Sequence, residues 1–120
     1  MAKVAVTPIK VLIADDHPVV RIGLRNMLQA DNQMRIVAEA KDGAEALNMV
    51  RTLRPDILLL DLAMPRMPGM DALRELTSES TTTRTIVLTG LVDKRQILEA
   101  LQLGARGVVL KDAVVEHLSA

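Results

Sequence analysis

Residues 57–69 read ILLLDLAMPRMPG, an apolar run that ends at Asp61 and passes into a segment rich in proline. An apolar run without alternation is typical of a strand that is buried on both faces, as in a parallel sheet. Pro65, Pro68 and Gly69 favour a turn after this strand. The stretch therefore predicts a buried parallel strand with a carboxylate directly after it.

The same alternation of short apolar runs and helical segments continues along the chain. Strands are predicted at residues 11–14, 35–40, 57–60, 85–89 and 108–110. The predicted helix starts are Pro18, Asp42 with Glu45, Gly69, Asp93 with Gln96, and a position near Ala113, and Gly104 is expected to follow the fourth helix. In that fourth helix we expect Ile97, Ala100 and Leu101 to face inward. The pattern predicts a doubly wound α/β domain with helices on both faces of a parallel sheet.

Composition restricts the class of protein. The 120 residues are 49% hydrophobic and 25% charged, which is typical of one soluble globular domain. Fifteen basic residues balance fifteen acidic ones, so the basic excess of a nucleic-acid-binding domain is missing. No apolar run is long enough to cross a membrane, and residues 1–8 do not resemble a signal peptide. We expect a single domain over residues 1–120, with its core at 9–117, in the cytoplasm.

Polar side chains follow or end the predicted strands at one edge of the sheet. Asp15 and Asp16 follow the first strand, Asp61 follows the third, Thr89 ends the fourth and Lys111 ends the fifth. In folds of this type the functional crevice lies beyond the carboxyl ends of the strands. Three neighbouring carboxylates repel one another unless a cation joins them, and oxygen ligands suit Mg²⁺. With a lysine and a hydroxyl nearby, the set predicts an aspartyl-phosphate site.

These residues, with residues 61–71 reading DLAMPRMPGMD, resemble the receiver domain of two-component response regulators. Residues 104–113, which read GARGVVLKDA, are similar to receivers of the NarL/LuxR type, which are fused to a helix-turn-helix output domain. The resemblance implies the flavodoxin-like receiver fold with strand order 2-1-3-4-5. It also implies a signalling phosphoacceptor rather than an enzyme.

The resemblance assigns roles to individual residues. Asp61 would accept a phosphoryl group from a histidine kinase, Lys111 would contact that group, and Thr89 would move toward it as the switch. The implied Mg²⁺ ligands are Asp15, acting partly through water, Asp16, Asp61 and the backbone carbonyl of Ala63. The fifth helix is expected to be truncated here. A DNA-binding output domain would follow it in the full-length protein, where phosphorylation changes dimerisation or contact with that domain.

One position departs from the family at the switch. Most receivers carry Tyr or Phe three residues before the lysine, and this ring moves together with the switch threonine. That residue is Val108 here, in a chain without any Phe, Tyr or Trp. We therefore expect weaker coupling between Thr89 and the output face.

A second departure concerns the lifetime of the phosphoryl group. In the family, polar side chains two residues after the acceptor aspartate and two after the switch threonine can position the hydrolytic water. Those residues are Ala63 and Leu91, whose side chains form no hydrogen bonds. We expect a relatively long-lived phosphoryl-aspartate.

Two other hypotheses fit the sequence poorly, and a third is the alternative to a phosphorylated receiver. A phosphatase of the haloacid dehalogenase class would need a second aspartate two residues after its nucleophile, where Ala63 lies. A nucleotide-binding module would need a glycine-rich turn where residues 14–18 read ADDHP. A degenerate receiver that binds partners without phosphorylation would be consistent with Val108. Taken singly, His17 is interpreted as a residue that leads into the first helix rather than a ligand, and His117 as a surface residue.

Overall fold

The computed structural model describes residues 7–90, 93–116 and 118. Its strands are β1 (Ile9–Ala14), β2 (Met34–Ala40), β3 (Ile57–Asp61), β4 (Arg84–Thr89) and β5 (Gly107–Leu110). Its helices are α1 (Pro18–Gln29), α2 (Gly43–Leu53), α3 (Gly69–Ser78), α4 (Lys94–Gln102) and α5 (Lys111–Val115). The strands form one parallel sheet in the order β2-β1-β3-β4-β5, which confirms the predicted architecture and strand order. None of the helices in the described ranges is long and apolar enough to cross a membrane.

The core lies in two layers, one on each face of the sheet. Leu58 and Leu60 of β3 belong to a cluster with residues of α2, α3 and α4. Leu59, which lies between them, belongs to a second cluster with α1 and with Val114 of α5. Successive residues of β3 are therefore buried on opposite faces, as the unbroken apolar run predicts. Burial of each such leucine contributes about 1.5–3 kcal/mol, so aliphatic side chains alone can hold this sheet.

Local signals fix the ends of several helices. Asp42 caps α2, since its Oδ1 accepts a hydrogen bond of 2.8 Å from the backbone N–H of Glu45. Pro18 is the first residue of α1, as its missing N–H favours. Gly104 follows α4 with a φ of 104°, a left-handed conformation that favours glycine.

The fifth helix differs from the prediction. It begins at Lys111 rather than near Ala113, so Lys111 is the first helical residue and β5 ends at Leu110. Val114 is fully buried beside Gly23 of α1, where an added Cβ would lie only 2.5 Å from the Val114 carbonyl oxygen. The fifth helix therefore packs closely on α1 through Val114.

The inward face of α4 is narrower than predicted. Ala100 is fully buried, but Leu101, which we expected to face inward, is 43% exposed, and Leu98 is 58% exposed. Successive residues of a helix lie about 100° apart, so a helix that touches the core through Ala100 turns Leu101 toward solvent. An exposed leucine face remains on α4, beside β5.

Candidate functional site

Asp61 lies at the middle of the carboxyl edge because β3 is the central strand of the sheet. The residue is only 1% exposed. Its Oδ1 accepts a hydrogen bond of 3.0 Å from the backbone N–H of Ala63, and its Oδ2 accepts one of 2.8 Å from Lys111 Nζ. A buried carboxylate is thus held by one main-chain donor and one cation.

Asp15 and Asp16 follow β1, the strand beside β3. Asp15 is fully buried, and its Oδ1 accepts a hydrogen bond of 2.7 Å from the backbone N–H of His17. Two buried oxygens, Asp15 Oδ2 and Asp16 Oδ1, form no hydrogen bond within the described part of the chain. Their basic neighbours are Lys111 Nζ, 3.4 Å from Asp15 Oδ2, and the His17 ring, 3.2 Å from Asp16 Oδ1. Buried carboxylate oxygens without hydrogen bonds are costly, so two of them at one edge of the sheet point to a ligand-binding site.

Lys111 provides the positive charge of this edge. Its side chain is 12% exposed, and its Nζ lies 3.4 Å from Asp15 Oδ2 as well as 2.8 Å from Asp61 Oδ2. Because Lys111 starts α5, its side chain reaches from β5 past β4 to the end of β3. One ammonium group therefore faces two buried carboxylates.

His17 is the residue of this edge that the sequence interpretation missed. It lies directly before α1, as expected, without capping the helix through its side chain. Its Nδ1 lies 3.0 Å from Asp15 Oδ1, 3.2 Å from Asp16 Oδ1 and 3.1 Å from Lys111 Nζ. Its ring therefore belongs to the same cluster as the three carboxylates. The signal available in the sequence was its position directly after two acidic residues at a strand end.

The fold and this edge can now be compared with known proteins. The sequence model of the response regulator receiver domain family matches residues 11–120. The chain belongs to this family.

Relatives of this receiver domain are transcriptional regulators. It is 40% identical over 112 residues to the nitrate/nitrite response regulator NarP of Escherichia coli, a match that covers 93% of this chain and 52% of NarP. It is 41% identical over 109 residues to the uncharacterised transcriptional regulator YhcZ of Bacillus subtilis, covering 91% of this chain and 51% of YhcZ. The chain thus spans about half the length of the curated relatives it matches.

Solved structures give the same picture. The signal receiver domain of the NarL regulator from Mycobacterium tuberculosis superposes with a TM-score of 0.85 at 33% identity, over 93% of this chain and 90% of that one. The resemblance to receivers of the NarL/LuxR type, inferred from the sequence, is confirmed. Membership of this signalling family replaces the hypotheses of a phosphatase and of a nucleotide-binding module.

The cluster of the receiver domain fits a hard divalent cation. Ligand atoms of Asp15, Asp16, His17 and Asp61 all lie within 4.8 Å of one another. Carboxylate oxygens dominate this set, and two of them are buried without hydrogen bonds. Such a donor set suits Mg²⁺, which binds through few carboxylates and retains several waters.

The remaining predicted residues lie on β4, on β5 and directly after β3. Thr89, the last residue of β4, is buried and pairs in register with Leu110 of β5. Val108 is half-buried and pairs with Val87. Ala63 is exposed directly after β3. Leu91 and His117, which also featured in the sequence predictions, lie outside the described residues.

Burial raises the pKa of the Asp61 carboxyl above its usual range, and the charge of Asp15 adds to this rise. The hydrogen bonds from Lys111 and from the Ala63 N–H oppose it. A raised folded-state pKa means that the native protein binds this proton more tightly than the unfolded chain does. The stabilisation that this bound proton gives the folded state is therefore lost as the pH rises from the ordinary aspartate pKa through the raised value.

Asp61→Asn should accordingly raise the free energy of unfolding at pH 7 in metal-free buffer. Asparagine keeps the shape of the side chain but removes a buried negative charge that faces Asp15. Urea unfolding followed by circular dichroism at pH 4 and pH 7 measures the effect, and the advantage of the variant should be larger at pH 7. Asp112→Asn, at an exposed carboxylate, serves as the control. A variant less stable than wild type at pH 7 contradicts this expectation.

Proposed function

We propose that this receiver domain accepts a phosphoryl group on Asp61 from a histidine kinase in the cytoplasm. One observation carries the proposal: a buried carboxylate at the end of the central strand lies 2.8 Å from a lysine ammonium and beside two buried carboxylate oxygens that form no hydrogen bond within the described part of the chain. A buried carboxylate whose pKa is shifted by burial and by neighbouring charges is a candidate for a functional residue. Its position at the carboxyl edge of a doubly wound sheet supports the same conclusion.

In the proposed transfer, a carboxylate oxygen of Asp61 attacks phosphorus as the bond between phosphorus and the kinase histidine breaks. The imidazole nitrogen keeps the bonding electron pair and takes up a proton. Lys111 is placed to hydrogen-bond a phosphoryl oxygen and to neutralise its charge. Mg²⁺ bound by Asp15, Asp16, Asp61 and the backbone carbonyl of Ala63 would supply further charge neutralisation.

The response to phosphorylation is proposed to start at Thr89, whose hydroxyl would move toward the phosphoryl group. Such a switch shifts the population between two existing states by adding contacts to one of them. With Val108 in place of an aromatic ring, we propose weaker coupling to the face formed by α4, β5 and α5. Exposed apolar side chains on that face are Leu98, Leu101, Leu110 and Val115.

We further propose that the full-length protein carries a DNA-binding output domain of the helix-turn-helix type. Among the relatives, YhcZ is a transcriptional regulator and NarP a response regulator, and both are about twice as long as the matched region. Phosphorylation would then act on contacts of the receiver with that domain or with a second copy of the protein.

The acceptor role is tested by intact-protein mass spectrometry after incubation with Mg²⁺ and a small-molecule phosphodonor. We expect the gain of one phosphoryl group, which is absent without metal and absent in Asp61→Asn. Asp112→Asn, at an exposed carboxylate next to Lys111, should gain the group like wild type. A folded wild-type protein that gains nothing would support the degenerate receiver instead, for which Val108 is the favouring observation.

The lifetime of the phosphoryl group gives a further prediction. Ala63→Asn should accelerate hydrolysis of the phosphorylated protein by about tenfold, because the new amide can orient an attacking water. The position is exposed beside Asp61, so the change is tolerated by the fold. Decay of the phosphorylated mass over time measures the rate. Ala63→Val adds bulk without a hydrogen-bonding group and should leave decay unchanged, and equal decay of all three proteins would refute the idea.

A further inference from the structure

A second cleft lies at the opposite edge of the sheet from Asp61, where β4 and β5 begin. It has a volume of about 400 Å³ and is lined by the end of α3, the loop that leads into β4, and the segment between α4 and β5. Arg84 and Thr89 are the first and last residues of β4, so at about 3.3 Å per residue roughly 16 Å separates this cleft from the acceptor edge. The two places cannot share one small ligand.

Two arginines give this cleft its charge. Arg84 and Arg106 both line it, and the backbone N–H of Arg106 donates a 2.7 Å hydrogen bond to the Thr85 carbonyl, which keeps their main chains adjacent. Neither guanidinium forms an ion pair or a side-chain hydrogen bond with any residue that the structure describes. The lining contains no aspartate or glutamate.

The acidic groups of the neighbouring helix end form ion pairs elsewhere. Glu75 and Glu79 both pair with Arg51, and Glu75 accepts from the Arg51 guanidinium at 3.2 Å. Neither of them forms an ion pair with Arg84 or Arg106. Both arginines of the cleft are therefore without an ion-pair partner among the described residues.

A threonine hydroxyl lines the same cleft. Thr85 is only 4% exposed as a residue, but its hydroxyl oxygen is not among the buried side-chain atoms and forms no hydrogen bond to another described residue. The neighbouring Thr83 differs, because its hydroxyl donates to the Pro55 carbonyl at 2.7 Å. The Thr85 hydroxyl can therefore donate a hydrogen bond to a molecule in the cleft.

We propose that this cleft binds a small phosphate-bearing anion. Arg84 and Arg106 would hold the phosphate, since the planar guanidinium suits phosphate oxygens, and the Thr85 hydroxyl would donate to a further oxygen. Leu76 and Leu103 also line the cleft and provide an apolar wall for the rest of the molecule. The volume is that of a small-molecule site, and the chain offers no aromatic side chain on which a base would stack.

Backbone amide NMR tests the proposal on the whole chain in the absence of Mg²⁺. The probes are inorganic phosphate, pyrophosphate and ribose 5-phosphate, with sodium chloride at matched ionic strength as the reference. We expect saturable shifts at residues 81–85 and 104–107, and tighter binding of the sugar phosphate would identify an organic ligand rather than free phosphate. Shifts that do not saturate, or that occur only around Lys111, overturn the proposal.

Variants separate binding from general charge effects. Arg84→Gln and Arg106→Gln should each weaken binding by about threefold to tenfold, and the double variant should abolish it. Thr85→Val keeps the shape of the side chain and should weaken binding by a similar factor without loss of fold. Arg95→Gln, at an exposed arginine of α4 outside the cleft, should bind like wild type. A double variant that binds with the wild-type affinity would show that any binding seen is adventitious.

Discussion

Lys111→Met should slow phosphorylation of Asp61 by a small-molecule phosphodonor by about a hundredfold or more. Methionine keeps much of the aliphatic length of lysine but removes the ammonium that lies 2.8 Å from Asp61 Oδ2. Loss of one preorganised donor to developing charge typically costs a factor of about a hundred to a thousand in rate. A time course of the phosphorylated mass at saturating Mg²⁺ measures the effect.

The controls for this experiment are available in the same chain. Lys94→Met removes an exposed lysine at the start of α4 and should leave the rate unchanged. Circular dichroism of Lys111→Met should show a folded domain, because α5 retains Val114 in the core. A rate within about threefold of wild type would show that Lys111 has no role in the transfer.

Gly69→Ala should destabilise the domain by about 3 kcal/mol, a large share of the 5–15 kcal/mol that stabilises a typical domain. The added Cβ would lie only 2.0 Å from the Asp61 carbonyl oxygen, a main-chain atom that cannot move without shifting β3. Gly69 also donates its N–H to the Leu62 carbonyl at 3.1 Å, so the start of α3 cannot easily move away. Urea unfolding followed by circular dichroism gives the change in the free energy of unfolding.

Gly107→Ala is the matched control for this substitution. An added Cβ at Gly107 meets no atom within 4 Å, and this glycine does not have a positive φ. The control should change the free energy of unfolding by less than about 1 kcal/mol. At a position whose backbone conformation suits alanine, the substitution mainly lowers the conformational entropy of the unfolded chain. If the two variants are equally stable, the contact between α3 and Asp61 is not a constraint on the fold.

The strand pattern was predictable from sequence because a parallel sheet buried on both faces leaves unbroken apolar runs. Residues 57–60 were found in this way, and β3 extends only one residue further, to Asp61. Strands β1 and β4 begin earlier than predicted because main-chain pairing extends into polar residues. Asp56 donates its N–H to the Lys10 carbonyl at 2.9 Å, and Arg84 donates its N–H to the Asp56 carbonyl at 3.0 Å. The pattern of apolar residues in the sequence carries no information about such hydrogen bonds.

The residues gathered at the carboxyl edge were predictable because they stand at strand ends, whereas the contacts of His17 and the exposure of Leu101 were not. Asp15, Asp61 and Lys111 meet as expected from the strand order. The contacts of the His17 ring depend on the rotamer of a half-exposed side chain. The sequence does not specify that rotamer, and it shows only that acidic residues precede the histidine. The exposure of Leu101 depends on the rotation of α4 about its own axis, which is set by tertiary packing.

The ion pair between Lys111 and Asp61 joins positions 50 residues apart in the chain, and Lys111 meets His17 across 94 residues. Contacts of such high sequence separation form only after intervening chain has been ordered, because loop closure costs entropy first. A partly folded chain that has not yet docked the start of α5 would hold buried carboxylates without their counter-charge. Under the function proposed for Asp61, a molecule in which the start of α5 has not docked would lack the lysine beside the proposed acceptor and would stay silent in signalling.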